Sequence, residues 1–365
     1  MRRLGISLYP EGATLESNKR YVNKAKECGF DRIFTCLLSV EGDKEKVILE
    51  FKELMEYCKN RGFEVIVDVA PSIFKDLGIS YDDLSFFKEI GVDGLRLDEG
   101  FSGLEESMMT FNKEGLKIEL NVSQPNCYLE NILSYEPDKH MLLGCHNFYP
   151  KKHTGLNRKL FLENSKKYQK NGVRVAAFVS SKEATFGPWK VSEGLCTLEE
   201  HRDINDITVQ ARDLWNSGVV DDVIIANCFA SDKELEELGK LRRGLLEIDV
   251  ELEVELNEVE SKILFSELHF QRGDCSEYSI RSTMPRVKYK NESIDMKNIR
   301  DIRFGDVLIE NSKVTRYKGE VHIALQDLKN EGNYNVVGRV REDNLIFLTM
   351  VKPWQKFKLK TGGEL

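Results

Sequence analysis

Gly94-Leu95-Arg96-Leu97-Asp98 alternates leucine with charged residues, and Lys117-Ile118-Glu119-Leu120-Asn121 repeats the pattern further along the chain. A period of two marks a β-strand, whose successive side chains leave opposite faces. The apolar set suits packing against helices, so the polar set must point the other way. The same parity sets Leu4, Ile6 and Leu8 against Gly5, Ser7, Tyr9 and Glu11, and Val65, Val67 and Val69 against Glu64, Ile66 and Asp68. A polar face repeated strand after strand, with apolar backs turned to helices, is the lining of a closed barrel.

Eight such runs are predicted, at 4–9, 32–37, 64–69, 94–98, 117–121, 141–146, 173–179 and 222–227. Helical periodicity fills the gaps, as in 47–60, where Leu49, Leu54, Met55 and Cys58 share a stripe, and most of these segments stop at a glycine such as Gly29, Gly62 or Gly172. Eight strand and helix units in sequence predict an α/β fold of the (β/α)8 TIM-barrel type. A doubly wound open sheet fits less well, because the first turn, Tyr9-Pro10-Glu11-Gly12, lacks a phosphate-cradling glycine motif. From Ile248 to Leu256 the pattern alternates apolar and acidic residues, and short strands are expected at 276–281, 286–289, 307–309, 321–325, 334–340 and 345–350. The chain therefore divides into a catalytic barrel, 1–242, and a small antiparallel β-barrel, 243–365, ending in a loose tail from Thr361.

The 365 residues carry a formal charge of -8, which argues against a nucleic-acid surface. The eight cysteines form no CxxC pair and read as small core residues in a reducing compartment. The apolar run after Met1-Arg2-Arg3 breaks at Ser7 and Pro10, so neither a signal peptide nor a membrane span is expected, and the reading is a cytoplasmic protein.

Barrel enzymes keep their chemistry at the C-terminal ends of the strands. Asp98, Glu11 and Asp68 end their strands there, and Arg96 lies just below, so these acids are the catalytic candidates and Arg96 a substrate-binding one. The run Gly144-Cys145-His146-Asn147-Phe148-Tyr149-Pro150 gathers an imidazole, an amide and two rings where strand six becomes a loop. Such groups suit a polar ligand with flat apolar faces, a sugar above all, but neutral groups cannot supply the acid and base that glycoside cleavage requires. Tyr9, Asn121, His146, Asn147, Tyr149 and Asn227 are accordingly expected to hold substrate. Thr197 with Glu200 reads as a capping box opening a helix, with His201 and Arg202 placed to meet an anion at its N-terminus. Arg281, one of two arginines around Pro285, is a further anion ligand. The histidines show no metal-ligand spacing, and no metal or other cofactor is expected.

Four stretches taken in order resemble the bacterial 6-phospho-N-acetylmuramidase family, formerly known as domains of unknown function or outer surface proteins. They are Leu4-Gly5-Ile6-Ser7-Leu8-Tyr9-Pro10-Glu11, Leu95 to Phe101, His146-Asn147-Phe148-Tyr149-Pro150 with Thr154-Gly155-Leu156, and Gly194 to Arg202. The likeness extends through Arg281 to Arg286 and Asn335-Val336-Val337-Gly338. It implies a TIM barrel with a cyclophilin-like C-terminal domain and cytoplasmic cleavage of a disaccharide of 6-phosphorylated N-acetylmuramic acid and N-acetylglucosamine, recovered from cell wall. Strand eight departs from the family pattern, reading Ile225-Ala226-Asn227 where a Gly-Asp pair is expected. The expected partner is thus a small phosphorylated amino-sugar disaccharide, with His201, Arg202 and Arg281 facing the phosphate. Two other functions suit the same barrel: a metal-dependent sugar-phosphate lyase or isomerase, and a non-catalytic carbohydrate-binding or regulatory protein.

Overall fold

A computed structural model describes residues 1–36, 44–69, 74 and 79–361. Leu37, at the end of the expected second strand, and residues 362–365 of the expected tail lie outside them. The chain divides into two compact units, Met1–Leu241 and Arg242–Leu365.

The first unit is a closed barrel of eight parallel strands in chain order: β1 Arg3–Leu8, β2 Arg32–Cys36, β3 Glu64–Val69, β4 Gly94–Leu97, β5 Lys117–Asn121, β6 Leu142–Cys145, β7 Arg174–Val179 and β8 Asp222–Ile225. The described helices are α1 Leu15–Glu27, α2 Lys44–Asn60, α3 Ser85–Glu89, α4 Leu104–Met109, α5 Tyr128–Ser134, α6 Arg158–Lys170, α7 Ile207–Asn216 and α8 Asp232–Lys240. Thr14, Asn157, Asp206 and Ser231 cap α1, α6, α7 and α8 with side-chain oxygens. Gly29 and Gly172 end α1 and α6 at φ 79° and 78°, a left-handed turn open to a residue without Cβ.

Contacts across the barrel prove the inward direction of the polar set. Arg32 on β2 binds Glu119 on β5 and Asp222 on β8, strands that are not its neighbours, so the three side chains meet inside. Arg3, Arg32 and Arg174 all pair with Asp222, while Arg3 and Lys117 share Glu64. Burial alone would raise the pKa of Asp222, but the hydrogen bond from Arg3 and the charges of Arg32, Arg3 and Arg174 hold it well below the carboxylate range. Above this ionic layer Phe34 and Phe178 meet edge to face with centroids 5.0 Å apart, and Phe148 stands 5.1 Å from Phe178. These rings floor the upper end of the barrel.

The second unit holds a seven-stranded sheet in the order β10-β15-β9-β14-β12-β13-β11. Its strands are β9 Leu246–Leu252, β10 His269–Phe270, β11 Ser279–Ser282, β12 Asp306–Glu310, β13 Val321–Ala324, β14 Tyr334–Val340 and β15 Lys356–Thr361. Every pair is antiparallel except β9 with β15. Beyond β10, Arg272 N–H donates to Arg281 O at 3.1 Å, and His269 Nδ1 lies 2.9 Å from Ser282 Oγ, so the edge strands nearly close the sheet. Two expected strands are not strands: 286–289 falls mostly in the short helix Met284–Lys288, opened by Pro285, and 345–350 lies in a 3-10 helix, Glu342–Met350.

Candidate active site

Asp68 and Arg96 are register partners on β3 and β4, both directed into the upper barrel, and Asp98 follows β4 directly. Arg96 Nη1 donates to Asp68 Oδ1 at 2.5 Å and to Asp98 Oδ1 at 3.1 Å, and its Nη2 donates to Asn147 Oδ1. One guanidinium therefore holds two carboxylates and an amide from three different strand ends. Phe34, Cys36, Phe148, Phe178, Pro188 and Trp189 complete the cleft around them.

The two acids differ in surroundings. The Asp68 side chain is 13% exposed and the Asp98 side chain 49%. Burial, reinforced by the neighbouring Asp98 charge, raises the pKa of Asp68 despite the opposing charge and hydrogen bond of Arg96. The Cys36 thiol stands 4.0 Å from Asp68 Oδ2, and burial followed by the Asp68 charge pushes its own pKa well up, so it stays a thiol. Glu11 is exposed on the 3-10 turn Pro10–Gly12 that follows β1, and its charge adds to the rise in the Cys36 pKa. Tyr149 is half-buried, with its phenol pKa raised by burial and within electrostatic reach of Arg96 and Asp98.

The family profile described as 6-phospho-N-acetylmuramidase, N-terminal, matches residues 4–240, and its C-terminal counterpart matches residues 246–360. The chain belongs to the 6-phospho-N-acetylmuramidase family. The family name supports a glycoside hydrolase. Among solved structures, an uncharacterized B. cereus protein is 47% identical at a TM-score of 0.91, over 98% of this chain and 99% of that one. A conserved Enterococcus faecalis protein of unknown function is 26% identical at a TM-score of 0.71, over 99% of this chain and 97% of that one. No curated protein matches the chain. Among the described residues no helix is long and apolar enough to cross a membrane.

Within this family member, several residues expected to touch ligand are turned to internal tasks. His146 is fully buried and faces α6, with Nε2 2.8 Å from Ser165 Oγ and its ring against Phe161. Burial, with Arg96 nearby, lowers its pKa to about 3, so it is a neutral wall residue. It acts on the site at second hand: its Nδ1 contacts Ser123 Oγ, which accepts the Asn147 N–H at 2.8 Å. Asn121 braces the Asp98 loop by donating to Asp98 O at 3.1 Å. Tyr9 is buried and donates its hydroxyl to Ala226 O, and Asn227 spends its amide on the backbone of Ser181.

The expected phosphate ligands are likewise committed. His201 is fully buried, 2.8 Å from Asp213 Oδ2 on α7. Arg202 binds Glu199 and the carbonyls of Glu193, Gly194 and Tyr149. The expected capping box does not form, because Thr197 Oγ1 accepts from Phe178 N–H and donates to Asn147 O, and the helix begins later, at Ile207. Arg281 lies on β11 of the second unit, paired with Glu320 at 2.6 Å. The pattern did not single out Phe34 and Cys36. The alternation Arg32, Phe34, Cys36 along β2 carried that signal, since Arg32 is the inward residue of the ionic layer.

Proposed function

We propose that this protein is a cytoplasmic glycoside hydrolase of cell-wall recycling that cleaves a disaccharide of 6-phosphorylated N-acetylmuramic acid and N-acetylglucosamine. Asp68 is the general acid and Asp98 the second carboxylate. The observation that carries this reading is the pair of unequal acids on one guanidinium nitrogen, set in an aromatic cleft at the C-terminal end of the barrel. Glycoside cleavage needs one carboxyl kept protonated to serve the leaving oxygen and one kept ionised to face the anomeric carbon. Burial supports the first role for Asp68, and the open position of Asp98 at the mouth of the cleft supports the second for Asp98. Sharing one nitrogen holds their bound oxygens within about 6 Å, nearer the spacing of retaining enzymes than the wider gap that admits a water. The rings of Phe148 and Trp189 offer flat apolar surface to the sugar, and Asn147, fixed through Ser123 and Arg96, offers a polar edge.

Since His201 and Arg202 are engaged in internal contacts, we assign the phosphate to the cleft lined by Ser17 and Arg20 of α1 and by Ser231, Asp232 and Lys233 at the start of α8, a reading supported by its two cations against one carboxylate. The decisive assay incubates the protein with the phosphorylated disaccharide and follows release of N-acetylglucosamine. Wild type should turn over, Asp98→Asn should lose about 10²-fold or more in kcat with an unchanged melting temperature, and Lys233→Ala should raise KM while sparing kcat. Full activity of Asp98→Asn would remove Asp98 from the chemistry.

A further inference from the structure

The second unit contains a pocket of about 450 Å³ lined by its own residues. Its wall carries three tyrosines, Tyr278, Tyr317 and Tyr334, together with the ionisable groups of Arg281, Glu310 and His322. Glu310 and His322 are 5% exposed, and their side chains approach to 3.2 Å between Oε1 and Nε2. The far side of the imidazole contacts Ser279 Oγ at 3.2 Å, and the Tyr334 ring meets it edge-on at 5.2 Å. Burial, with the Glu310 charge behind it, pushes the Tyr334 phenol up to about 12, so it remains a neutral hydroxyl.

Two ligand classes compete for such a pocket. Glu310, Glu320 and His322 bring their ligand atoms within 4.8 Å of one another, which is the outline of a cation site. Glu320, however, is already neutralised by Arg281 at 2.6 Å and Arg286 at 2.8 Å, and two fixed guanidiniums repel a metal ion. Glu310 is different: among the described residues no guanidinium pairs with it, its Oε1 meets His322 Nε2 at 3.2 Å, and it lines the pocket, so a ligand hydroxyl can donate to it. A carboxylate that accepts, an arginine that donates and aromatic rings that offer flat faces are the features that select a polyhydroxylated ring.

We propose that the C-terminal unit carries its own saccharide-binding site, in which Glu310 accepts a pair of sugar hydroxyls, Arg281 donates to a ring substituent and Tyr317 covers the apolar face. This site is independent of the catalytic assignment of the barrel. Calorimetric titration of the full chain with N-acetylglucosamine and with N-acetylmuramic acid tests it, using Asp98→Asn as a background without turnover and the pocket variants to tell this site from the barrel cleft. Saturable binding that persists in Asp98→Asn and weakens about tenfold or more on adding Glu310→Gln is the expected result. Tyr317→Ala, which removes the ring beneath Arg286 but no charged member of the cluster, should weaken it as well if the ring covers the sugar. Binding of both sugars unaltered by Glu310→Gln and Tyr317→Ala, or no saturable binding of either sugar, overturns the proposal. So does a rise in melting temperature with Zn²⁺ or Mn²⁺ that His322→Asn abolishes, since that would make the cluster a metal site.

Discussion

Asp68 and Asp98 are the same amino acid at neighbouring strand ends, and their surroundings alone separate them. For Asp68, burial and then the Asp98 charge outweigh the stabilising effect of Arg96, so the folded pKa lies above the unfolded one. The sign follows from linkage: its protonated form is the favoured one in the fold, so its contribution to stability is full below an unfolded pKa of about 3.9 and is lost as pH rises through the folded value. As the general acid it must also be protonated to work, so kcat/KM should fall on the alkaline side as pH passes the raised pKa. Asp68→Asn should therefore cut kcat by about 10²- to 10⁴-fold and remove that alkaline limb from whatever activity remains. Rates measured from pH 4 to 9 decide it, and an intact alkaline limb in the variant would assign the limb to another group.

The segment between β7 and α7 is the element whose form depends most on a few polar ties. Arg202 gathers three main-chain carbonyls and the Glu199 carboxylate, whose pKa is lowered to about 2 by the Arg202 hydrogen bond first and by the N–H groups of His153 and Gly155. Arg202→Ala leaves those carbonyls and Glu199 without their donor, so it should lower stability by about 2–4 kcal/mol and open 181–206 to limited proteolysis. Loss of phosphate affinity with unaltered stability would instead restore Arg202 as a ligand. Strands β1 to β8 were legible in the sequence because alternation and the closing glycines are local patterns repeated eight times. The environment of Arg202 was not legible, because a loop has no period and a charged side chain there points equally well outward or inward. His146 failed for a related reason: parity places a strand residue on one of two faces, but β6 ends at Cys145 and the count lapses one residue before it. In the second unit Leu345 to Met350 reads as a strand by its apolar run, yet a run of that length also fits a helical turn packed with Phe347 and Leu348 inward.

At the scale of the whole barrel, the interior is layered along its axis, with ions at the N-terminal end, aromatic rings in the middle and the two acids at the mouth. Asp222 is the centre of the lowest layer, fully buried and shared by arginines from β1, β2 and β7. Such a cluster contributes little net stability when complete, but removal of one partner leaves uncompensated charge in a dry interior. Asp222→Asn leaves three guanidiniums with Glu64 and Glu119 as their remaining ion-pair partners among the described residues, so we expect a loss of about 3–5 kcal/mol. The depressed pKa of Asp222 gives the effect a pH signature: its stabilisation is present above the unfolded value of about 3.9 and disappears as pH falls through the folded one. The wild-type melting temperature should accordingly drop steeply below about pH 4, whereas the variant, already without that carboxylate, should show a shallower slope in the same range. Because the aromatic layer separates the ions from the cleft, residual activity at low temperature should stay near wild type. Thermal melts of both proteins from pH 3 to 7 measure the difference, and parallel curves would mean that Asp222 is not the ionised centre of the barrel.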